Sequence, residues 1–187
     1  MKTEAIWQGE NQQRVFRDVL DTLARPGDMR DLTDSLGGSN VQRAVLATLM
    51  DAEVTLADPH EKIAAADWPL LQARRGKADS ARYVVADGRR APNFTPALGT
   101  LESPEFGATL LLEIDDVSSG PMILKIKGPG VDGLRTLQLT GLHAGWIERR
   151  ADWIGAFPLG VDLLLFDACR IVALPRTTQV AITKGGK

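Results

Sequence analysis

Residues 128–133 match a phosphate-binding pattern. Gly128, Gly130 and Gly133 have the spacing G-x-G-x-x-G and follow an apolar segment that is typical of a strand. In dinucleotide-binding proteins such glycines open a helix whose N–H groups meet the pyrophosphate. Here Pro129 removes one of those N–H groups, and the residues after Gly133 are typical of another strand. The pattern therefore favours a loop that connects two strands over a dinucleotide site.

Asp58, His60 and Glu61 cluster in sequence and carry groups that bind metal ions. The chain has one other histidine, His143, which is distant in sequence, and no H-x-x-H or C-x-x-C pair accompanies the cluster. A solvated turn before a helix is therefore the favoured interpretation. We predict no metal site.

Cys169 is the single cysteine of the chain, and it lies in a predicted turn between two apolar runs. A pair with His143 is conceivable, but a lone cysteine beside core strands more often packs as a small hydrophobic residue. The chain also has no G-x-S-x-G sequence of the kind that exposes a nucleophilic serine. We predict no catalytic residue.

Arginines outside charge runs give a stronger signal. Arg17, Arg25 and Arg176 are suited to binding an anionic ligand or the carboxylates of a partner protein. Glu102 and Glu105, in a proline-rich segment, are the matching acidic candidates. Exposed charges without a role are the alternative for each of these residues.

Residues 157–178 hold the most specific pattern in the chain. Two short apolar runs, 163–166 and 171–174, are joined by a polar turn and predict a hairpin of buried strands. Pro175 ends this pairing because proline has no N–H to donate. We predict that Asp162 accepts backbone N–H groups at a turn and that Gly160 has a positive φ and tolerates no larger side chain.

Other elements follow from apolar spacing. A helix is predicted over 10–24, with an apolar stripe formed by Val15, Phe16, Val19, Leu20 and Leu23. Ser39 and Gln42 have the spacing of a capping box and open a second helix. Further helical segments lie within 60–76 and over 143–154, strands are predicted at 54–57, 82–86 and 137–139, and 29–32 is either a strand or a loop.

Two further segments bear on topology and function. Strands at 109–114 and 122–126 are predicted to pair as a hairpin through residues 118–121. Residues 89–107 are irregular and rich in proline, and irregular chain of that length inside a domain usually serves a function or an interaction. The whole pattern predicts an α/β fold: one domain over 1–187, a sandwich of a mixed β-sheet flanked by helices on its faces.

Composition limits the function classes. The net charge of −2 and the pI near 5.7 give no general attraction to nucleic acid or to an anionic membrane. No apolar run approaches the roughly 20 residues that span a bilayer, and no N-terminal signal is recognisable at 1–4. With one cysteine, the chain is expected to be a soluble cytoplasmic protein.

Six sequence blocks occur in order along the chain. They are Gln13-x-x-Phe16-Arg17-x-x-Leu20, Arg25-Pro26-Gly27, Pro104-Glu105-Phe106-Gly107-Ala108-Thr109, Gly128-x-Gly130, Phe157-Pro158-Leu159-Gly160-Val161-Asp162 and Leu174-Pro175-Arg176-Thr177-Thr178. Together, over about residues 10–180, they closely resemble the H-subunit family of the bacterial carbon–phosphorus lyase core complex.

This resemblance implies a role in the breakdown of alkylphosphonates, within a cytoplasmic assembly that contains G, I and J subunits. With the G, I and L proteins, the H subunit is needed to make a ribose 1-phosphonate 5-triphosphate from ATP and a phosphonate, with release of adenine. The I subunit is expected to carry that chemistry, and the J subunit cleaves the C–P bond. The family fold resembles pyridoxal-phosphate-dependent transferases, and its members form homodimers without that cofactor.

The lysines agree with the expected lack of a cofactor. A Schiff-base site needs a lysine in a structured pocket, and none of the seven follows the usual Ser or Asp motif: Lys2, Lys62, Lys77, Lys125, Lys127, Lys184 and Lys187. Lys125 and Lys127 share a strand face that is predicted to be exposed and to lie opposite Ile123 and Ile126. We predict no pyridoxal phosphate and no other cofactor.

We therefore expect a subunit of a phosphonate-processing complex that acts mainly through structure and assembly. Whether it contributes to catalysis stays open. The expected ligand-binding or interface residues are Arg17, Arg25, Glu105, Asp162, Arg176 and Thr177. The alternative is an autonomous phosphate- or phosphonate-binding enzyme or sensor that uses the three arginines.

Overall fold

Two β-sheets and five α-helices make up residues 4–183, the part of the chain that the structure, a computed structural model, describes. The helices are α1 (Gly9–Ala24), α2 (Thr33–Leu36), α3 (Val41–Leu49), α4 (Trp68–Leu71) and α5 (Gly145–Trp153), with 3-10 turns at Ala5–Trp7 and Pro104–Phe106. The strands are β1 (Met29–Asp31), β2 (Thr55–Ala57), β3 (Arg74–Arg75), β4 (Tyr83–Asp87), β5 (Thr109–Glu113), β6 (Met122–Lys127), β7 (Arg135–Leu139), β8 (Asp162–Phe166), β9 (Arg170–Leu174) and β10 (Gln179–Thr183).

The larger sheet is mixed and has the order β1-β9-β8-β5-β4-β2-β3. Strands β3, β2, β4, β5 and β8 run parallel, and β9 is antiparallel to both β8 and β1. The parallel strands therefore begin at one edge of the sheet, the amino edge, and end at the other, the carboxyl edge. Because Leu163 pairs with Leu174, the end of β9 also lies at the amino edge.

The smaller sheet is antiparallel, with the order β10-β6-β7. The predicted hairpin between 109–114 and 122–126 is therefore wrong: β5 pairs with β4 and β8, whereas β6 pairs with β7 and β10. The physical reason lies in the two patterns. Residues 109–112 are all buried, as in a central parallel strand, whereas β6 alternates buried and exposed side chains from Leu124 to Lys127.

Apolar side chains on the two faces of the larger sheet form two cores. On one face, Val85, Leu111 and Leu164 pack with residues of α1, α2 and α3. On the other, Leu110 and Leu163 pack with β6, β7 and the tryptophans of α5. The predicted mixed sheet flanked by helices is thus confirmed: four helices cover one face, and α5 covers the other together with the small sheet.

Local details refine several predictions. Helix α1 forms as predicted, but Phe16 and Leu20 are 43% and 47% exposed, so its apolar stripe is only half buried. The predicted capping box is wrong, because Asn40 caps α3 by accepting the N–H of Arg43 at 2.9 Å. Strand β10 was not predicted. Within the described residues, no helix has both the length and the apolar character needed to cross a bilayer.

Candidate functional site

Asp162 and Arg176 form an ion pair at the amino edge. The β8–β9 register brings them together, since Asp162 begins β8 and Arg176 lies just beyond the end of β9. The Arg176 N–H donates to Asp162 Oδ1 at 2.7 Å, and Arg176 Nη2 donates to Oδ2 at 2.7 Å. Asp162 therefore accepts a backbone N–H at a turn, as its sequence position predicts.

Arg176 also fixes the end of the proline-rich segment. Its Nη1 donates to the carbonyl oxygen of Pro104 at 2.7 Å, and its Nη2 lies 3.4 Å from that of Gly107. Arg82 also donates to the Gly107 carbonyl. Charged donors bind such carbonyls more strongly than neutral donors do. This end of an irregular segment is thus held rigidly.

Two glycines bring the chain close together beside this pair. A Cβ at Gly107 would overlap the carbonyl oxygen of Gly160, and it would lie 2.7 Å from Arg176 Nη1. Gly160 has φ +142°, which confirms the predicted positive φ. Its N–H donates to the carbonyl of Leu98 at 2.9 Å. The segments 97–108 and 157–162 therefore meet through their backbones.

Arg150 is a structural residue of this region that the site prediction missed. It lies on the buried side of α5, at 1% exposure, and donates through Nη2 to the carbonyls of Thr178, at 3.0 Å, and Pro175. Burial lowers the pKa of Arg150 to about 10, while the nearby Asp162 carboxylate acts in the opposite direction. The sequence did indicate that Arg150 is buried, because it shares the helical spacing of Trp146 and Trp153.

Five of the six sequence blocks, those from Arg25 to Thr178, are linked in space along this edge. A Cβ at Gly130 would overlap the carbonyl oxygen of Ala24, and one at Gly128 would lie 2.9 Å from the Thr177 carbonyl oxygen. The N–H of Gly27 donates to the carbonyl of Ala173 at 3.3 Å. Residues 128–133 connect β6 to β7, which confirms the predicted strand-connecting loop. A Cβ at Gly130 would also lie 3.0 Å from Pro26 Cδ, so these five blocks form one continuous band of close contacts.

The other predicted site residues lie around this band. Glu105 is exposed in the 3-10 turn that Arg176 holds, and Thr177 is exposed directly after Arg176. Arg17 is exposed on α1 and Arg25 is exposed directly after it, with Arg25 Nη1 3.8 Å from Asp21 Oδ2. The structure thus brings Asp162, Arg176 and the turn of Glu105 together.

Large apolar side chains are exposed on the two segments whose backbones meet at the ion pair. Phe106 is 64% exposed and Phe157 67% exposed, and they precede Gly107 and Gly160 by one and three residues. Leu101, in the same irregular segment, is 76% exposed. Phe106 also lines a groove of about 390 Å³ together with Glu53, Val54, Thr55, Ser80, Arg82 and Glu105. We call this surface the amino-edge corner.

The carboxyl edge has a different chemistry. Arg89 contacts three carboxylates: Asp87 at 2.9 Å, Glu113 at 3.2 Å and Asp115 at 2.9 Å. Lys62 Nζ lies 2.6 Å from Glu113 Oε2. Beside these pairs is a groove of about 440 Å³, lined by Asn40, Gln42, Lys62, Arg89, Glu113, Ile114, Asp115, Phe166, Asp167 and Ala168.

The cluster at 58–61 has structural partners at the carboxyl edge. Asp58 accepts the N–H groups of Lys62 and Ile63, each at 2.8 Å. His60 Nδ1 accepts the N–H of Asp87 at 3.0 Å, which places the proton on Nε2, 3.1 Å from Asn93 Oδ1. Across 4–183, no group of three His, Cys, Asp or Glu side chains has the geometry to hold a metal ion.

The remaining reactive residues occupy ordinary structural positions. Cys169 is partly buried and packs against the helix-side core. Lys125 and Lys127 are exposed on β6, as predicted, but by strand alternation Ile123 shares their face rather than the opposite one. Lys2, Lys184 and Lys187 lie outside the described residues.

Comparison with known proteins identifies relatives over almost the whole chain. The model of a family described as "Bacterial phosphonate metabolism protein (PhnH)" matches residues 4–181. HtxG of Stutzerimonas stutzeri, whose name describes it as a candidate C-P lyase subunit, is 38% identical over 175 residues, which cover 94% of this chain and 88% of HtxG. The "Alpha-D-ribose 1-methylphosphonate 5-triphosphate synthase subunit PhnH" of Rhizobium meliloti is 30% identical over 179 residues, covering 90% and 89% of the two chains.

Proposed function

Because the chain belongs to the PhnH family of bacterial phosphonate metabolism proteins, we propose that it is a subunit of a C-P lyase assembly and acts mainly through structure and interaction. One structural observation carries the second half of this proposal. Charged groups of the sequence blocks, Asp162 and Arg176, bond to each other and to backbone groups. Such residues fix the shape of a surface.

The proposal includes partners and a reaction. The chain works in the cytoplasm beside the G, I and J subunits, and it forms a homodimer. Together with the G, I and L proteins it enables formation of ribose 1-phosphonate 5-triphosphate from ATP and an alkylphosphonate, with release of adenine. The name of the Rhizobium meliloti relative supports this step, because it contains the methylphosphonate form of that product.

The proposed site residues divide into two groups by their contacts. Asp162 and Arg176 are positioning residues that hold the amino-edge corner in shape. Arg17, Arg25, Glu105 and Thr177 are exposed and are proposed to contact partner subunits or a ligand carried by the assembly. Neither group contains a nucleophile with an adjacent base, so the chemistry is assigned to a partner.

Adenine release tests the proposal. The purified chain is incubated with ATP and methylphosphonate, alone and then with the G, I and L proteins of the same organism, and adenine is quantified by chromatography. We expect release only when the partners are present and this chain is included. Release by the chain alone would refute the structural role, and unchanged release by the partners without it would refute the requirement.

A second candidate is an autonomous phosphate- or phosphonate-binding protein. The groove at the carboxyl edge favours it, because open α/β sheets usually bind ligands beyond the carboxyl ends of their strands, and Lys62 and Arg89 line it. Three lining carboxylates, from Glu113, Asp115 and Asp167, outnumber those two cations and disfavour an anion. Calorimetry of the isolated chain with methylphosphonate distinguishes the candidates, since the proposed subunit releases no binding heat.

A further inference from the structure

We propose that the amino-edge corner is the surface through which this chain docks a different protein, one that presents an apolar site rimmed by Lys or Arg side chains. This inference rests on the proposed function as an assembly subunit and adds the surface and the chemistry of the partner. The corner comprises Leu101, Phe106 and Phe157 together with the groove beside Phe106.

The first argument is exposed apolar area on a rigid support. Phe106 and Phe157 expose about two-thirds of their surface, whereas aromatic side chains of this size usually anchor cores or interfaces. The backbone beneath them is fixed by Arg176 and by the close approach of Gly107 to Gly160. Binding of a partner to these rings therefore costs this chain little conformational entropy, as expected of a preorganised hot spot.

The second argument is charge. Two exposed glutamates, Glu53 and Glu105, line the groove, and a third, Glu102, directly follows Leu101. Arg82 is the one cation that lines the groove within the described residues, and its guanidinium already donates to the Gly107 carbonyl. The groove beside Phe106 is therefore acidic. A basic side chain that enters the groove can meet Glu105 and the face of Phe106 together.

The same charges argue against a second copy of this chain as the occupant. In a two-fold symmetric interface each surface meets its own equivalent. Such a dimer would bring the glutamates of both copies together around one apolar centre, where like charges oppose association. A protein of complementary charge removes this cost, so the geometry favours a heterologous partner.

The experiment measures the affinity of the full chain for the remainder of the C-P lyase assembly from the same organism, purified without this chain. Phe106→Ala and Phe157→Ala remove the proposed anchors and should each weaken binding at least about tenfold. Leu134→Ala is the matched control, since Leu134 is 59% exposed in the loop between β6 and β7, and it should change affinity less than about twofold.

Charge and folding are checked in parallel. Glu105→Lys should weaken binding more at low than at high salt, because screening reduces interactions between exposed charges. All four altered residues are exposed, and thermal melting of each variant should match that of the unaltered chain. Calorimetric affinities of folded variants therefore report on the interface.

Three outcomes separate the inference from the proposed function. Normal binding by the unaltered chain and by both Phe variants overturns this inference and leaves the proposed function intact. Failure of the unaltered chain to bind the assembly overturns both. Loss of a homodimer in the Phe106→Ala variant, measured by light scattering on the isolated chain, assigns the corner to a second copy and overturns the heterologous partner.

Discussion

The two edges of the larger sheet use charge in opposite ways. At the carboxyl edge, side chains pair with side chains: Arg89 alone contacts Asp87, Glu113 and Asp115. At the amino edge, Arg176 pairs with one carboxylate, and it also donates hydrogen bonds to backbone carbonyls. The carboxyl edge is thus a partly exposed ion-pair network, whereas the amino edge is a shielded clamp on the chain.

This difference indicates what each edge contributes to stability and to binding. Exposed ion pairs stabilise a protein weakly because water and salt screen them. A shielded pair that also satisfies backbone groups is costly to break, because the remaining charge and carbonyls lose their partners. At the usual ligand edge of an α/β sheet, Lys62 and Arg89 are therefore already paired with carboxylates of this chain, and the opposite edge has the rigid apolar surface that suits docking.

The largest effect is expected when the clamp loses its carboxylate. Asp162→Ala leaves the Arg176 guanidinium, 13% exposed in its side chain, without a counter-ion and should lower the free energy of unfolding by about 3 kcal/mol. Asp21→Ala is the control: Asp21 pairs with Arg30 at 3.1 Å on a more exposed surface and should cost less than about 1 kcal/mol. Urea denaturation measures both, and equal losses would remove the distinction between the clamp and a surface pair.

A smaller loss is expected from the backbone beside the clamp. Gly160→Ala places a Cβ on a residue with φ +142°, about 3.0 Å from Ile154 Cγ2, and should cost about 2 kcal/mol. Gly9→Ala, where no atom lies within 4 Å of the new Cβ, should leave stability unchanged or slightly raised. Thermal melting compares the two, and a neutral Gly160→Ala would show that this corner can relax.

The carboxyl edge should respond less to loss of its central cation. Arg89→Gln removes contacts to three partly exposed carboxylates and should cost about 1 kcal/mol at low salt, and less at high salt. Arg176→Gln should cost more and depend less on salt, since its pair is more shielded. Denaturation of both variants at two salt concentrations tests this, and a reversed order would contradict the comparison of the edges.

The smallest effect concerns the pKa of Asp116 and its contribution to stability at low pH. Hydrogen bonds from the side chain and backbone of Ser118 hold the pKa of Asp116 well below its ordinary value of 3.8. A carboxyl group with a lowered pKa stabilises the fold above that ordinary value, and this contribution is lost as the pH falls towards the folded pKa. NMR titration should show Ser118→Ala raising the pKa of Asp116, and an unchanged pKa would assign the shift to other groups.

The sequence predicts elements well where the pattern is local. The β8–β9 hairpin follows from two apolar runs and a polar turn, and α1 follows from its apolar spacing. The predicted 109–126 hairpin fails because neighbours in sequence join different sheets, and that pairing depends on strands more distant along the chain. Exposure of Phe16 and Leu20 likewise depends on which neighbours cover α1, which its periodicity does not contain.

The candidate site was predictable in part for the same reason. The Asp162–Arg176 pair lies within one hairpin, so its residues could be named from the sequence. The hydrogen bond from Arg176 to Pro104 joins residues that are 72 positions apart in sequence, and the contact of Gly107 with Gly160 joins residues 53 apart. No local sequence pattern reveals such contacts. Residues 89–107 were expected to be functional from their irregular length alone, and the structure adds which side chains they expose.

Hydrogen exchange is the most direct test of the central claim that the amino edge is the docking edge. Amide protection is measured by mass spectrometry for the chain alone and for the chain within the assembled C-P lyase complex. We expect residues 99–107 and 155–160 to gain protection on assembly, while residues 87–90 and 115–119 at the carboxyl edge stay unchanged. Protection confined to 87–90 and 115–119 would contradict this account and place the interface at the charged groove.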